Sequence, residues 1–180
     1  MQGCVKDDLR TDGLQKGWQF QVSTWNADSL KGRSGELVEA LSDRKVDVAC
    51  IQETRWKGCK FYGAKDPRYK LFWMGGEEKL HGVWVYVAEK WVDSVVSVER
   101  HTKRILNLRM VLDNGLLNVL TVYAPHSGKS QEEKESFWNE VFHLVSCIPQ
   151  TEMVVLAGDM NGHVVRMVVL EIRMQMDPGS

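Results

Sequence analysis

The chain carries no surplus charge of either sign: 23 Lys and Arg stand against 24 Asp and Glu, a formal net charge of −1. No field of the whole protein therefore draws it to nucleic acid or acidic lipid, and any polyanion binding must come from local basic patches. Long apolar runs are missing too. Nothing approaches the length that spans a bilayer, and the polar, glycine-containing segment Met1–Gly17 has no apolar signal core, so neither a membrane span nor a secretory leader is expected. Cysteine is sparse and unpatterned, since Cys4, Cys50, Cys59 and Cys147 form no C-x-x-C pair and have no histidine at zinc spacing. That argues against a zinc ribbon or a disulfide scaffold and for a reducing, intracellular setting, nucleus or cytoplasm. Cys50 lies in an apolar run and reads as a small buried hydrophobe. There are no repeats and no low-complexity tracts, which excludes solenoids and arrays.

What is present suffices for one domain with a real core: 180 residues, 43% hydrophobic and 26% charged, with 7 tryptophans as the one excess. Residues 1–17 read as a flexible lead-in, 18–163 as a single domain, and 164–180 as an atypical tail. Trp18 to Trp25 alternates apolar and polar residues, the mark of a strand with one buried face, and ends on Asn26-Ala27-Asp28. Ser34 is placed to cap a helix whose Leu37, Ala40 and Leu41 share a face. Val46 to Ile51 is a second short strand, followed at once by Gln52-Glu53-Thr54. A strand, helix and strand in this order predict a parallel pair, with Asn26, Asp28 and Glu53 as neighbours at one sheet edge.

The segment 54–68 interleaves cations and rings (Arg55, Trp56, Lys57, Lys60, Phe61, Tyr62, Lys65, Arg68). It suits a phosphate backbone and stacked bases, or equally a solvated loop whose rings pack downward. From Tyr69 to Ala124 the pattern is β throughout, with strands expected at 69–73, 82–88, 94–101, 105–112 and 116–124. Asp113-Asn114-Gly115 signals a hairpin between the last two, and Lys103, Arg104 and Arg109 are expected to face DNA or solvent. The last strand runs into Tyr123-Ala124-Pro125-His126. Ser130 and Glu133 then form a capping box for a helix over 131–146, whose Phe137, Trp138, Val141, Phe142 and Val145 make a stripe read as core. The strand 152–158 delivers Gly158-Asp159-Met160-Asn161-Gly162-His163. Here Asp159 can polarise a water and Asn161 can orient it. The plainer reading is an Asx turn after a strand.

Taken together and in order, Thr24-Trp25-Asn26-Ala27-Asp28, Ile51-Gln52-Glu53-Thr54, Val122-Tyr123-Ala124-Pro125 and Gly158-Asp159-Met160-Asn161-Gly162-His163 resemble the endonuclease/exonuclease/phosphatase superfamily. Gln52-Glu53-Thr54-Arg55-Trp56-Lys57-Gly58 and the Phe137-Trp138 helix look like the endonuclease domain of non-LTR retrotransposons and its domesticated relatives of the craniofacial development protein 2 type. The resemblance implies an α/β fold, a four-layer α/β sandwich, and a phosphodiester hydrolase of the DNA endonuclease kind. It implies a Mg²⁺ ion, with Mn²⁺ as a substitute, held by Glu53 with help from Asp28. Asp159 would activate the attacking water, Asn161 would hold it, and Asn26 and Tyr123 would contact the phosphate. Arg55, Trp56, Lys57, His126 and His163 would touch the substrate, and DNA is the implied partner. The plainer alternatives are a salt bridge for Glu53, an Asx turn at Asp28 and a snorkelling core phenol at Tyr123.

The sequence departs from the family after His163. Family members continue through further strands and close on a Ser-Asp-His motif whose histidine contacts the phosphate, and residues 164–180 contain no histidine. Val168, Leu170, Ile172, Met174 and Met176 alternate, which reads as an added strand, with a helix as the alternative. The expectation is an incomplete sandwich lacking most of its second half, with impaired cleavage. An apolar face left uncovered would favour a protein partner or self-association. Two further functions stay open: an inactive interaction module, and a phosphatase or lipid phosphodiesterase on the same fold.

Overall fold

The computed structural model describes residues 20–26, 34–54, 67–72 and 82–161. The expectations for the lead-in 1–17, for Asp28, Arg55, Trp56, Lys57 and His163, and for the tail 164–180 lie outside the described residues, as do the side chains of Ser34 and Glu53.

The first sheet grows from the expected parallel pair. Strand β1 (Val22–Asn26) leads through helix α1 (Ser34–Asp43) to β2 (Val48–Thr54), and the two strands run parallel with Val22 beside Val48 and Asn26 beside Gln52. Strands β3 (Tyr69–Phe72) and β4 (Gly82–Ala88) complete it in the order β1-β2-β4-β3. Every residue of β4 is buried because both its faces are covered. Trp84, Tyr86 and Ala88 pack with Leu37, Val38 and Leu41 of α1, whereas Val83, Val85 and Val87 face the second sheet.

The expectation of unbroken β structure from Tyr69 to Ala124 is corrected at Glu89–Ser94, which forms a 3₁₀ turn. The chain leaves one sheet for the other here, and the turn is pinned by the Trp91 indole N–H donating to Asp47 Oδ1 (2.8 Å). Strands β5 (Val95–Thr102), β6 (Ile105–Leu112) and β7 (Gly115–Tyr123) then form an antiparallel meander. Gly115, at φ +124°, closes the Asp113-Asn114 hairpin, a conformation that glycine adopts without steric cost. Helix α2 (Gln131–Cys147) crosses over to β8 (Met153–Asp159), which pairs parallel with β7 and gives the order β5-β6-β7-β8.

The two sheets stack face to face. Val48, Cys50, Val85 and Val87 of the first meet Leu106, Leu108, Met110 and Val119 of the second. On the far side of the second sheet, Phe137 and Val141 of α2 cover Ile105, Leu120, Val122, Val154 and Leu156. With α1 on the other flank, the described residues form two sheets between two helices, the α/β layering expected of an incomplete four-layer sandwich. The N-cap of α2 is as expected, with Ser130 Oγ accepting from Glu133 N (3.2 Å). Its apolar stripe is narrower than the sequence implies: Phe142 is 64% exposed. Successive helical residues point about 100° apart, so Phe142 cannot share the face of Val141 and leans on Trp138 instead, ring centres 6.1 Å apart.

Candidate active site at the strand ends

Parallel register sets the polar residues side by side. β1 on β2 brings Asn26 beside Gln52, and β7 on β8 brings Tyr123 beside Asp159. The register of β2 on β4 shifts between Ile51 and Thr54, so the backbone carrying Gln52 and Glu53 departs from regular pairing at this edge. Gln52 is wholly buried. Its amide oxygen accepts from Thr24 Oγ1 (3.0 Å) and its Nε2 donates to the Cys50 carbonyl (3.0 Å), which ties β1 to β2 one residue before Glu53. Sequence reading took Gln52 for one more polar residue at a strand's end; an amide directly after an apolar run was the available signal.

Across the sandwich, the Asn26 side chain donates from Nδ2 to Asp159 Oδ2 at 2.8 Å, joining residues 133 apart in the chain. The other carboxylate oxygen, Oδ1, accepts from Asn161 N at 2.9 Å. The plainer reading of this segment, an Asx turn, is therefore correct locally, and the same carboxylate also reaches the first sheet. Asn161 sits at φ +43°, a left-handed conformation that asparagine tolerates, and its Nδ2 donates to the Ala124 carbonyl at 2.6 Å. Ala124 N in turn donates to the Asp159 carbonyl (2.8 Å). Gly158 is a strand glycine and not a turn residue. At φ +155°, an added Cβ would lie 1.8 Å from the Val122 carbonyl oxygen, so only glycine lets β8 approach β7 this closely.

The fold thus brings together Asn26, Tyr123, Asp159 and Asn161, with the backbone of Glu53 next to Gln52 at the same edge. His126 lies two residues past Ala124 on an exposed loop, where its Nδ1 accepts from Gly128 N (3.2 Å). In the neutral ring, that bond leaves the proton on Nε2. Among the described residues no three His, Cys, Asp or Glu side chains gather as a metal cluster. The groups that do meet at the ends of β1 and β8, a carboxylate and two amides, present oxygen acceptors of the kind a hard divalent cation prefers.

One expectation about cations is corrected: Arg104 turns onto protein, while Arg109 stays partly exposed and is held by an ion pair. The Arg104 guanidinium lies 5.0 Å from the centre of the Tyr123 ring, and Arg109 pairs with Glu152. Asn118 Nδ2 also donates to Glu152 (2.8 Å), and these bonds, Asn118 first and then Arg109, hold the Glu152 carboxyl below the usual range against the opposing effect of burial. This network caps the start of β8, away from the Asp159 end. Burial pushes the Cys50 thiol up to about 12, so it is an inert hydrophobe as expected. Cys50 and Cys147 are free thiols. No helix among the described residues is long and apolar enough to cross a membrane.

These features define an α/β/β/α sandwich with a polar site where the carboxyl ends of its strands abut. Residues 23–166 match the Endonuclease/Exonuclease/phosphatase family, and the chain belongs to it. Craniofacial development protein 2 of Tragulus javanicus is 23% identical over 148 residues, which cover 81% of this chain and 25% of that protein. The chain therefore spans about a quarter of the length of the curated relative. Among solved structures, a humanised D. rerio TDP2 superposes with a TM-score of 0.65 at 18% identity, covering 79% of this chain and 62% of that one; another D. rerio TDP2 structure is complexed with a single-strand DNA product. The endonuclease domain of TRAS1, a telomere-specific non-LTR retrotransposon, gives a TM-score of 0.57 at 17% identity, covering 79% and 60%.

Proposed function

We propose that the chain hydrolyses phosphodiesters of DNA, with Asp159 as the base for the attacking water. The observation that carries this reading is the placement of Asp159: its carboxylate is held from two sides, by the Asn26 amide and by Asn161 N, and each oxygen keeps a lone pair for a water proton. Donors on both oxygens hold the carboxylate in one orientation, as a base needs if it is to meet a water at hydrogen-bond range. Asn161, fixed through Ala124, would steady the water, and Asn26 would hold the carboxylate and contact the phosphate. Tyr123 would donate its phenol proton to a phosphate oxygen. Glu53, with Asp28, would hold Mg²⁺ or Mn²⁺. When bound, such an ion neutralises phosphate charge and favours departure of the leaving oxygen. Arg55, Trp56, Lys57, His126 and His163 would line the path of the strand. DNA as substrate is supported by the family and by the fold shared with D. rerio TDP2, which holds a DNA product.

Nicking of supercoiled plasmid by the purified chain, with Mg²⁺ and with chelator, beside Asp159→Ala, tests the reading. Mg²⁺-dependent nicking lost in the variant supports it; equal nicking by both removes the base role. A second reading, a protein-docking module, draws on Trp25, which is 43% exposed on the terminal strand β1. A monodisperse monomer in size-exclusion chromatography that captures no second copy at high concentration argues against self-association.

A further inference from the structure

Arg104 occupies the turn between β5 and β6, and its side chain is 19% exposed. It holds one neighbour in three ways. Its carbonyl accepts from Tyr123 N (2.9 Å), its Nη1 donates to the Tyr123 carbonyl (3.2 Å), and its cation lies over the Tyr123 ring. Nη1 also lies 3.5 Å from the Ala124 carbonyl, the same oxygen that receives Asn161 Nδ2. Behind it, Nη2 is 4.0 Å from Glu133 Oε1 in the first turn of α2, and that carboxylate also pairs with Lys129 (3.3 Å).

We propose that Arg104 is a positioning residue that fixes the Tyr123 ring and the Ala124 carbonyl relative to Asp159. The proposal rests on Tyr123, Asp159 and Asn161 forming the active site described under the proposed function. A guanidinium suits the task because its plane stacks on a ring while its edge donates to carbonyls, which the compact ammonium of lysine cannot do at once. Tyr123 ends its strand and packs against the core between the sheets, and Arg104 reaches it from the turn between β5 and β6. Ala124 is the point where β7, β8 and Asn161 meet. A cation gripping both converts three separate side chains into one rigid unit. Small misplacements of catalytic groups cost rate steeply, up to about 10²-fold for roughly 1 Å.

The competing role for a cation here is direct contact with a DNA phosphate, and the test separates the two. Cleavage of a labelled oligonucleotide is measured for the unmodified chain, Arg104→Met, Arg104→Lys, Tyr123→Phe and the Arg104→Met/Tyr123→Phe double variant, together with the salt dependence of DNA binding. A positioning role predicts that Arg104→Met lowers kcat about 10-fold with KM little changed. The double variant should then be no worse than Tyr123→Phe alone within about 2-fold, Arg104→Lys should restore only part of the loss, and the salt slope should not change. Additive losses, or a salt slope reduced by about 1 in Arg104→Met, overturn the proposal in favour of a phosphate contact. NMR of the ¹³C-tyrosine-labelled chain gives a readout free of catalysis. The Tyr123 signal, identified by its loss in Tyr123→Phe, should shift in Arg104→Met while those of Tyr69 and Tyr86 stay in place. An unmoved Tyr123 signal overturns the proposal even if the chain cleaves nothing. Absence of cleavage by the unmodified chain instead removes the hydrolase reading on which it rests, whereas full activity in Tyr123→Phe leaves that reading and removes the role of Tyr123, and the proposal with it.

Discussion

Strand β1 meets one aspartate at its start and another at its end, and the two carboxylates are treated differently. Asp47, 2% exposed, has its charge met: it accepts from Gln21 N (2.7 Å) and the Trp91 indole (2.8 Å), and pairs with the Lys90 ammonium (2.6 Å). Phe20 packs edge-on against Trp91 beside it, ring centres 5.3 Å apart. Asp159 is half-buried and receives only neutral donors from the described residues, Asn26 and Asn161. A buried carboxylate whose charge is met by a cation is shut off from a ligand by its burial and has little charge left to attract one. One oriented by neutral amides has no cation on it and keeps a lone pair on each oxygen. Glu152 is a third case and sides with Asp47, because it is buried and one of its two partners, Arg109, is a cation.

Four measurements sharpen or break this contrast. The largest effect is expected at Asp159→Ala: cleavage should fall by about 10³-fold or more while the urea midpoint moves by less than about 1 kcal/mol of stability. A large stability loss would put Asp159 in the same class as Asp47. Next is Gly158→Ala, whose Cβ would collide with the Val122 carbonyl at 1.8 Å. Backbone cannot yield as a side chain does, so a loss of about 3 kcal/mol or more is expected in chemical denaturation. A thermal midpoint equal to that of the unmodified chain would show that β8 lies farther from β7. Asp47→Ala should cost about 2–4 kcal/mol by stranding a buried N–H and the indole donor, with intact chains cleaving normally. Selective loss of activity without instability would contradict its structural role.

The smallest effect is pH-dependent. Because the Glu152 carboxyl is held below the usual range, its stabilisation is fully present above the ordinary glutamate value and decays as the pH falls through the lowered one. Glu152→Gln should remove that acid-side decrement, at a cost of about 1–2 kcal/mol at neutral pH from the weakened bond to Arg109. Parallel stability curves for the two proteins from pH 7 to pH 3 would refute the assignment.

Most elements were legible beforehand. The bounds of β4 and β6 match the expected ones, because alternation or a full apolar run between turn residues is a local signal. The 3₁₀ turn at Glu89–Ser94 was not, since it exists to move the chain between sheets and depends on Asp47 being across from Trp91. Phe142 was misplaced for the same kind of reason: its exposure follows from how much of α2 the sheet beneath can cover. At the site, Tyr123, Asp159, Asn161 and Asn26 were legible as chemistry, whereas the roles of Gln52 and Arg104 were not, because neither shows its partner in one dimension.

By itself, the order of residues determined the family, the strands and helices, and the edge at which acid and amides emerge, since periodicity and side-chain chemistry are properties of neighbours along the chain. Only the tertiary structure decided that Asn26 grips Asp159, that Arg104 turns inward to Tyr123, and that Asp47 is paired with a cation while Asp159, among the described residues, meets only amides. Those outcomes depend on strand register and on which crossovers bring distant donors within about 3 Å of an acceptor, the distance at which a hydrogen bond forms.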